Sequence, residues 1–209
     1  MNKREEQKQQ RRHHIIQAAK DLFLEQGVQN IQMQDVANAA SVGIATLFRY
    51  FPKKEYLVIA ATNAITDEMA AHIGKIVEQT IPAYEKIEQI LDYYIDGTKD
   101  PQLRLAKFFE SFDLYEKLAE QSPEQYSEYF LTRSRLAGIL LTLAEQGKQD
   151  HSIRPDIDLE VFILTMVQNF SIFSFKSSLA IHDTDLSMLL SADKQLAMMK
   201  DVFLAYIRT

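Results

Sequence analysis

Ala45, Thr46, Phe48, Arg49 and Tyr50 crowd into one short stretch, and Lys53 and Lys54 follow within four residues. On a helix that turns about 100° per residue, Leu47 and Phe51 share one face with Ile44 close by, and Ala45 and Arg49 point the opposite way. Thr46 and Tyr50 lie on one flank of that outward face and Phe48 on the other. A small residue permits close approach, a guanidinium can pair bidentately with guanine or hold a phosphate, and hydroxyls can bond phosphate oxygens. The chemistry this set offers is recognition of a polyanion. Two lysines at a helix start oppose the helix dipole, yet the same free N–H groups would receive an anion. A backbone phosphate reconciles the two. The plain alternative is an amphipathic hairpin with a solvated outer face.

Catalytic chemistry finds no comparable foothold. The five histidines, His13, His14, His72, His151 and His182, show no metal-ligand spacing, and there is no cysteine. No G-x-S-x-G, P-loop or Rossmann glycine pattern occurs. The carboxylates fall mostly on the polar faces of amphipathic segments. The expectation is a protein that is not an enzyme and holds neither cofactor nor metal.

Charge separates along the chain. Up to residue 54 there are nine Lys/Arg against five Asp/Glu, and beyond it fourteen against twenty-four, within a net charge of −6. A basic head on an acidic body implies that only the head meets the polyanion. With no cysteine, no apolar leader and no apolar run of spanning length, the expected setting is cytoplasmic, with no membrane partner.

The elements that must position these residues are all helical. Strict alternation is absent, and the apolar runs exceed usual strand length. A first helix is expected from Arg11 to about Gly27, short ones near 33–40 and 44–50, and a long one from Pro52 to about Glu78. Pro82, Pro101 and Pro123 sit where further helices could begin, and Ser122–Gln125 reads as a capping box. Residues 147–158 and the stretch around "IHDTDLS" read as loops. The fold class is all-α with about nine helices: a three-helix head with a helix-turn-helix over residues 1–52, and a larger body over 53–209.

"IIQAAKDLFLEQG" followed by "MQDVANAASVGIATLFRYFPKKEYL" resembles the DNA-binding domain of the TetR family of transcriptional regulators. Ala37, Ala40, Val42, Thr46, Leu47, Phe48, Tyr50, Phe51, Lys54, Glu55 and Leu57 carry the likeness, over about 45 residues. Five positions depart from the pattern. Ser41 stands where Gly is usual, Gly43 where a Ser or Thr cap is usual, Phe48 where Tyr is frequent, and Gln32 and Met33 where Thr opens the second helix. The resemblance implies double-stranded DNA as partner. Thr46, Tyr50 and Lys54, with Lys53 and Gly43 beside them, would position phosphates, and Gln34, Ile44, Ala45 and Arg49 would face bases, next to Phe48. Arg11 and Arg12 would either add phosphate contacts or merely solvate the helix tip.

For the acidic body, the resemblance implies a small-molecule inducer and a homodimer. Phe108, Phe112, Tyr126, Phe130, Met166, Asn169, Phe170 and Phe173 are the candidate pocket, an aromatic set with few polar atoms. It favours an apolar or aromatic ligand. Such a stripe also suits an ordinary core. The helix expected from Asp158 to Ser178 is apolar all round, so both its faces need covering. Leu196, Met199, Phe203 and Tyr206 step along the last helix by threes and fours, a seam suited to a four-helix dimer interface. The family reading is a repressor that binds palindromic operator DNA as a dimer and is released by its inducer. The rival reading is an all-helical interaction module whose helix-turn-helix does not bind DNA.

Overall fold

The computed structural model describes residues 3–99, 123–179 and 192–209, with side chains described for 3–96, 127–170 and 194–209. These residues form eight α-helices and one 3-10 turn: α1 Lys3–Gln26, the turn Val28–Asn30, α2 Met33–Ala39, α3 Ile44–Tyr50, α4 Lys54–Val77, α5 Ala83–Lys99, α6 Pro123–Asp150, α7 Leu159–Leu179 and α8 Ala192–Ile207. No strand occurs among them. The chain divides into two compact units, Met1–Glu68 with Lys107–Arg133, and Met69–Ala106 with Ser134–Thr209. The first unit therefore continues past residue 52, into the middle of α4.

In the first unit α1 packs on α2 and α2 on α3. Ile15, Ala19 and Phe23 of α1 meet a core that includes Val36, Ala37, Leu47 and Phe51, all buried. The α4 residues Leu57, Val58, Ile59 and Ala61 are buried too, and Lys20 of α1 bonds Glu68 of α4 at 2.6 Å. Two boundaries differ from expectation. α1 begins at Lys3, eight residues before Arg11, because Lys, Arg, Glu and Gln are good helix formers and Glu5 and Glu6 occupy the favourable first turn. α4 begins at Lys54 instead of Pro52, so Lys53 lies in the bend before it.

The second unit packs α5 against α7 and α8, and α7 against α8. Its core gathers Ile73, Ile87, Ile90, Leu91, Leu143, Ile163, Met166, Phe170, Leu196 and Ile207. Polar ties fasten the periphery. Lys86 is buried, and its ammonium donates to the Val77 carbonyl at 2.9 Å and to Gln146 Oε1 at 2.7 Å. Lys200 bridges from α8 to Asp92 and Glu88 of α5 at 2.7 and 3.1 Å. α6 runs on to Asp150, so only 151–158 of the expected 147–158 loop is non-helical. His151 supplies the left-handed residue after it, at φ 57°. The expected helix start at Pro101 and the loop around "IHDTDLS" lie outside the described residues.

Candidate nucleic-acid interface

Four residues, Ala40 to Gly43, join α2 to α3. Ser41 is left-handed at φ 52°, where a side chain costs about 1 kcal/mol relative to glycine. In exchange, the Ser41 N–H reaches the Asn38 carbonyl at 3.0 Å and the Val42 N–H reaches the Ala37 carbonyl at 2.9 Å. Gly43 caps α3 with φ −67° and ψ 144°, an ordinary extended conformation. Its carbonyl accepts from Thr46 and Leu47 at 2.8 and 3.1 Å. A Cβ at Gly43 would meet nothing within 4 Å, so its outer side is open. α2 is secured at its start without Thr, since the Asp35 carboxylate accepts the Gln32 N–H at 2.7 Å.

With Leu47 wholly buried and Phe51 nearly so, α3 cannot roll, and its other side must face outward. Ala45, Phe48 and Arg49 are exposed, and Ile44, Thr46 and Tyr50 are half-buried. The Arg49 guanidinium lies 5.8 Å from the Tyr50 ring centre. On α2, Gln34 is exposed and its amide donates to Asn38 Oδ1 at 2.9 Å. Lys53 stands over the Tyr56 ring at 6.0 Å. Lys54 opens α4 half-buried. Burial holds its ammonium below the usual lysine value, against the pull of Glu55 and Asp35. Of the two arginines at residues 11 and 12, Arg12 is already engaged. It pairs with Glu128 at 3.5 Å and lies 5.5 Å over the Phe51 ring.

Residues 15–61, from the first buried turn of α1 into α4, match the model of the bacterial regulatory proteins of the tetR family. Residues 15–61 are a TetR-type helix-turn-helix domain. A curated relative, the HTH-type transcriptional regulator YhgD of Bacillus subtilis (strain 168), is 27% identical over 163 residues, covering 78% of this chain and 82% of YhgD. Among solved structures, a transcriptional regulator from Saccharomonospora viridis in complex with choline superposes with a TM-score of 0.70 at 15% identity, over 95% of this chain and 97% of that one. The regulator FadR from Bacillus subtilis, in complex with stearoyl-CoA, does so with 0.64 at 16%, over 94% and 99%. At such identity the likeness is one of fold.

The body residues are distributed less simply. Phe108 and Phe112 lie outside the described residues, as do the side chains of Tyr126 and Phe173. Met166 and Phe170 are wholly buried in the core of the second unit, where Phe170 faces Tyr94 and Phe203. Asn169 is a correction. It is exposed, its amide bonding the Thr165 carbonyl one turn back at 2.7 Å, so it faces away from that core. Phe130 is 48% exposed.

A residue the sequence did not single out is Asn63 on α4. It is 5% exposed, and among the described residues neither its amide nitrogen nor its oxygen has a hydrogen-bond partner. Its only sequence signal is a polar residue inside the apolar run "YLVIAATNAI".

The four residues of the α8 seam divide between core and surface. Leu196 is wholly buried, and Met199 and Phe203 pack against the same core. Tyr206 is 52% exposed, stacked on Phe162 at 5.7 Å. The residues that α8 turns outward are Met198 and Val202, 67% and 59% exposed, with Val161 and Leu164 likewise outward on α7. Leu196, Met199 and Phe203 thus face the subunit's own interior, and Tyr206 lies at its edge.

Proposed function

We propose that the chain is a ligand-responsive repressor that binds palindromic operator DNA as a homodimer through α3 and is released by a small apolar or aromatic inducer. The observation that carries this reading is the outward face of α3. Ala45, Phe48 and Arg49 are exposed on a helix held in place by Leu47, with Lys54 opening the next helix. Arg49 reads a base or grips phosphate, Thr46 and Tyr50 bond phosphate, and Lys53 and Lys54 supply charge where a phosphate meets free N–H groups.

The occupied ligand sites of the two solved relatives, one with stearoyl-CoA and one with choline, support a small-molecule effector. In this chain Asn63 is the polar contact proposed for it, since a buried amide with no partner costs roughly 1–3 kcal/mol until one is supplied. Asn63 follows Lys54 by nine residues of continuous helix, about 14 Å at 1.5 Å per residue. Occupation beside Asn63 would displace α4 and move Lys54 with it. Paired heads fit successive major grooves only when their recognition helices lie roughly 34–36 Å apart or a multiple of a turn, so a modest tilt suffices for release.

The test is selection from random duplexes followed by titration across salt. The expected product is a palindrome bound with steep salt dependence. Lys54→Ala should weaken specific and random DNA alike and lower the salt slope by about one. Arg49→Ala should relax one base position in each half-site. If no duplex is enriched and binding does not respond to salt, the chain is a helical interaction module instead.

A further inference from the structure

The first twelve residues of α1 bury no apolar side chain in the fold. Residues 3–11, 13 and 14 are exposed, Arg12 is half-buried, and the first core residue is Ile15. A polar helical extension of roughly three turns gains no stability from packing, so its sequence answers to something else. Arg4, Lys8 and Arg11 recur at steps of four and three, which places them on one side of the helix. That side is turned toward the recognition helix. Arg4, Lys8 and Arg11 line a groove of about 570 Å³ whose opposite wall is Arg49 and Tyr50 of α3, with Glu5 and Gln7 completing it.

We infer that this extension is a second DNA-binding element, a basic rail that grips the phosphate backbone flanking the bases beneath α3. The inference rests on the proposed function and adds a surface to it. The groove brings four cationic side chains from two helices to one opening, a spacing suited to a polyanion whose charges repeat along a line. Its one acidic member is weakly committed. Glu5 pairs with Lys8 at 3.4 Å with both side chains more than half exposed, a contact readily exchanged for a phosphate. Arg12 takes no part, since Glu128 and the Phe51 ring hold it on another side of the helix. Arg11 and Arg12, adjacent in sequence, thus have different tasks. The rail contacts no base edges, so it adds affinity and length of site without altering the preferred sequence.

The test compares the full-length protein with its R4Q/K8Q/R11Q variant on selected duplexes, with and without base pairs flanking the palindrome. All three positions are exposed and Gln is a good helix former, so helicity by circular dichroism should be unchanged. The wild-type salt slope should exceed that of the variant by two to three per protomer, at about 0.9 per phosphate contact. Trimming the flanks should weaken the wild type and leave the variant unaffected, and the sequence selected by both should be the same. An R4K/R11K variant, which keeps the charge, should retain most of the slope. Equal slopes for wild type and R4Q/K8Q/R11Q on a duplex both recognise would overturn the rail and leave the proposed function standing. A wild type that binds no duplex would overturn both.

Discussion

Asp150 and Ala83 stand 67 residues apart, and the Asp150 Oδ2 accepts the Ala83 N–H at 2.6 Å. Beside it the Ser152 hydroxyl oxygen accepts the Tyr84 N–H at 3.1 Å, and the Ser152 N–H in turn donates to Asp150 Oδ1 at 2.9 Å. The end of α6 thus caps the start of α5, satisfying two of the N–H groups that a helix start leaves open.

That cap makes stability depend on acid. Burial pushes the Asp150 carboxyl up, but the N–H groups of Ala83 and Ser152, the Ser152 hydroxyl and the charge of Lys86 outweigh it and hold it below the usual aspartate value. A folded-state pKa below the unfolded one means the contribution is complete above the unfolded value, about 3.9, and is lost as pH falls through the folded value. Asp150→Asn should cost about 1 kcal/mol at neutral pH. In urea titrations its deficit against wild type should shrink below about pH 4. A deficit that persists unchanged into strong acid would mean the carboxylate charge is irrelevant to the cap.

Two glycines of α6 should respond oppositely to the same substitution. A Cβ at Gly138 would meet nothing within 4 Å, so Gly138→Ala should stabilise by about 1 kcal/mol through helix propensity. At Gly147 a Cβ would stand 2.7 Å from Leu159 Cδ2, 2.9 Å from Ile153 Cδ1 and 3.3 Å from Ala83 Cβ. Overpacking of this kind costs about 1–3 kcal/mol, so Gly147→Ala should show no gain and a net loss on the order of 1 kcal/mol. Denaturation midpoints for the pair decide it. A stabilised Gly147→Ala would show that the α6–α7 turn yields easily.

We place the homodimer face on the outward apolar residues of α8, Met198 and Val202, and this predicts a contrast along the helix. Val202→Glu adds charge to an outward apolar strip with Met198, and should shift sedimentation from dimer to monomer while leaving the helix content intact. Phe203→Glu, one residue on, would bury charge against Phe162 and Phe170, whose ring centres lie 5.8 and 5.9 Å from its own. It should lower the melting temperature first. A Val202→Glu protein that sediments as a dimer would remove this face from consideration.

Asn63→Leu replaces an unpaired buried amide with an apolar side chain of similar size. The free protein should gain roughly 1 kcal/mol. Any small apolar or aromatic compound that raises the wild-type melting temperature should bind the variant more weakly. By linkage, operator DNA and that compound should weaken each other's binding to the wild type by one common factor. Calorimetric titration with and without operator measures both. Equal affinities in the two states would end the coupling proposed for α4, however tight the binding.

The helical class, the α2–turn–α3 motif and the outward set around Arg49 were legible in the sequence because each depends on neighbours within one or two helical turns. Leu47 and Phe51 differ so sharply from Ala45 and Arg49 that only one orientation of α3 buries the right side. Ser41 announced its left-handed turn by standing where glycine is usual. α7 and α8 offered no such contrast. Where most positions are apolar, periodicity cannot say which side turns inward, and Leu196 and Phe203 went to the core while Met198 and Val202 went outside. Asn169 and Asn63 look alike as letters in apolar runs, yet packing left one on the surface with a bond to Thr165 and buried the other without a partner among the described residues. The Asp150 cap and the placing of Arg4, Lys8 and Arg11 beside Arg49 join residues tens of positions apart. Such meetings are set by how helices pack, and no local pattern in the chain encodes them.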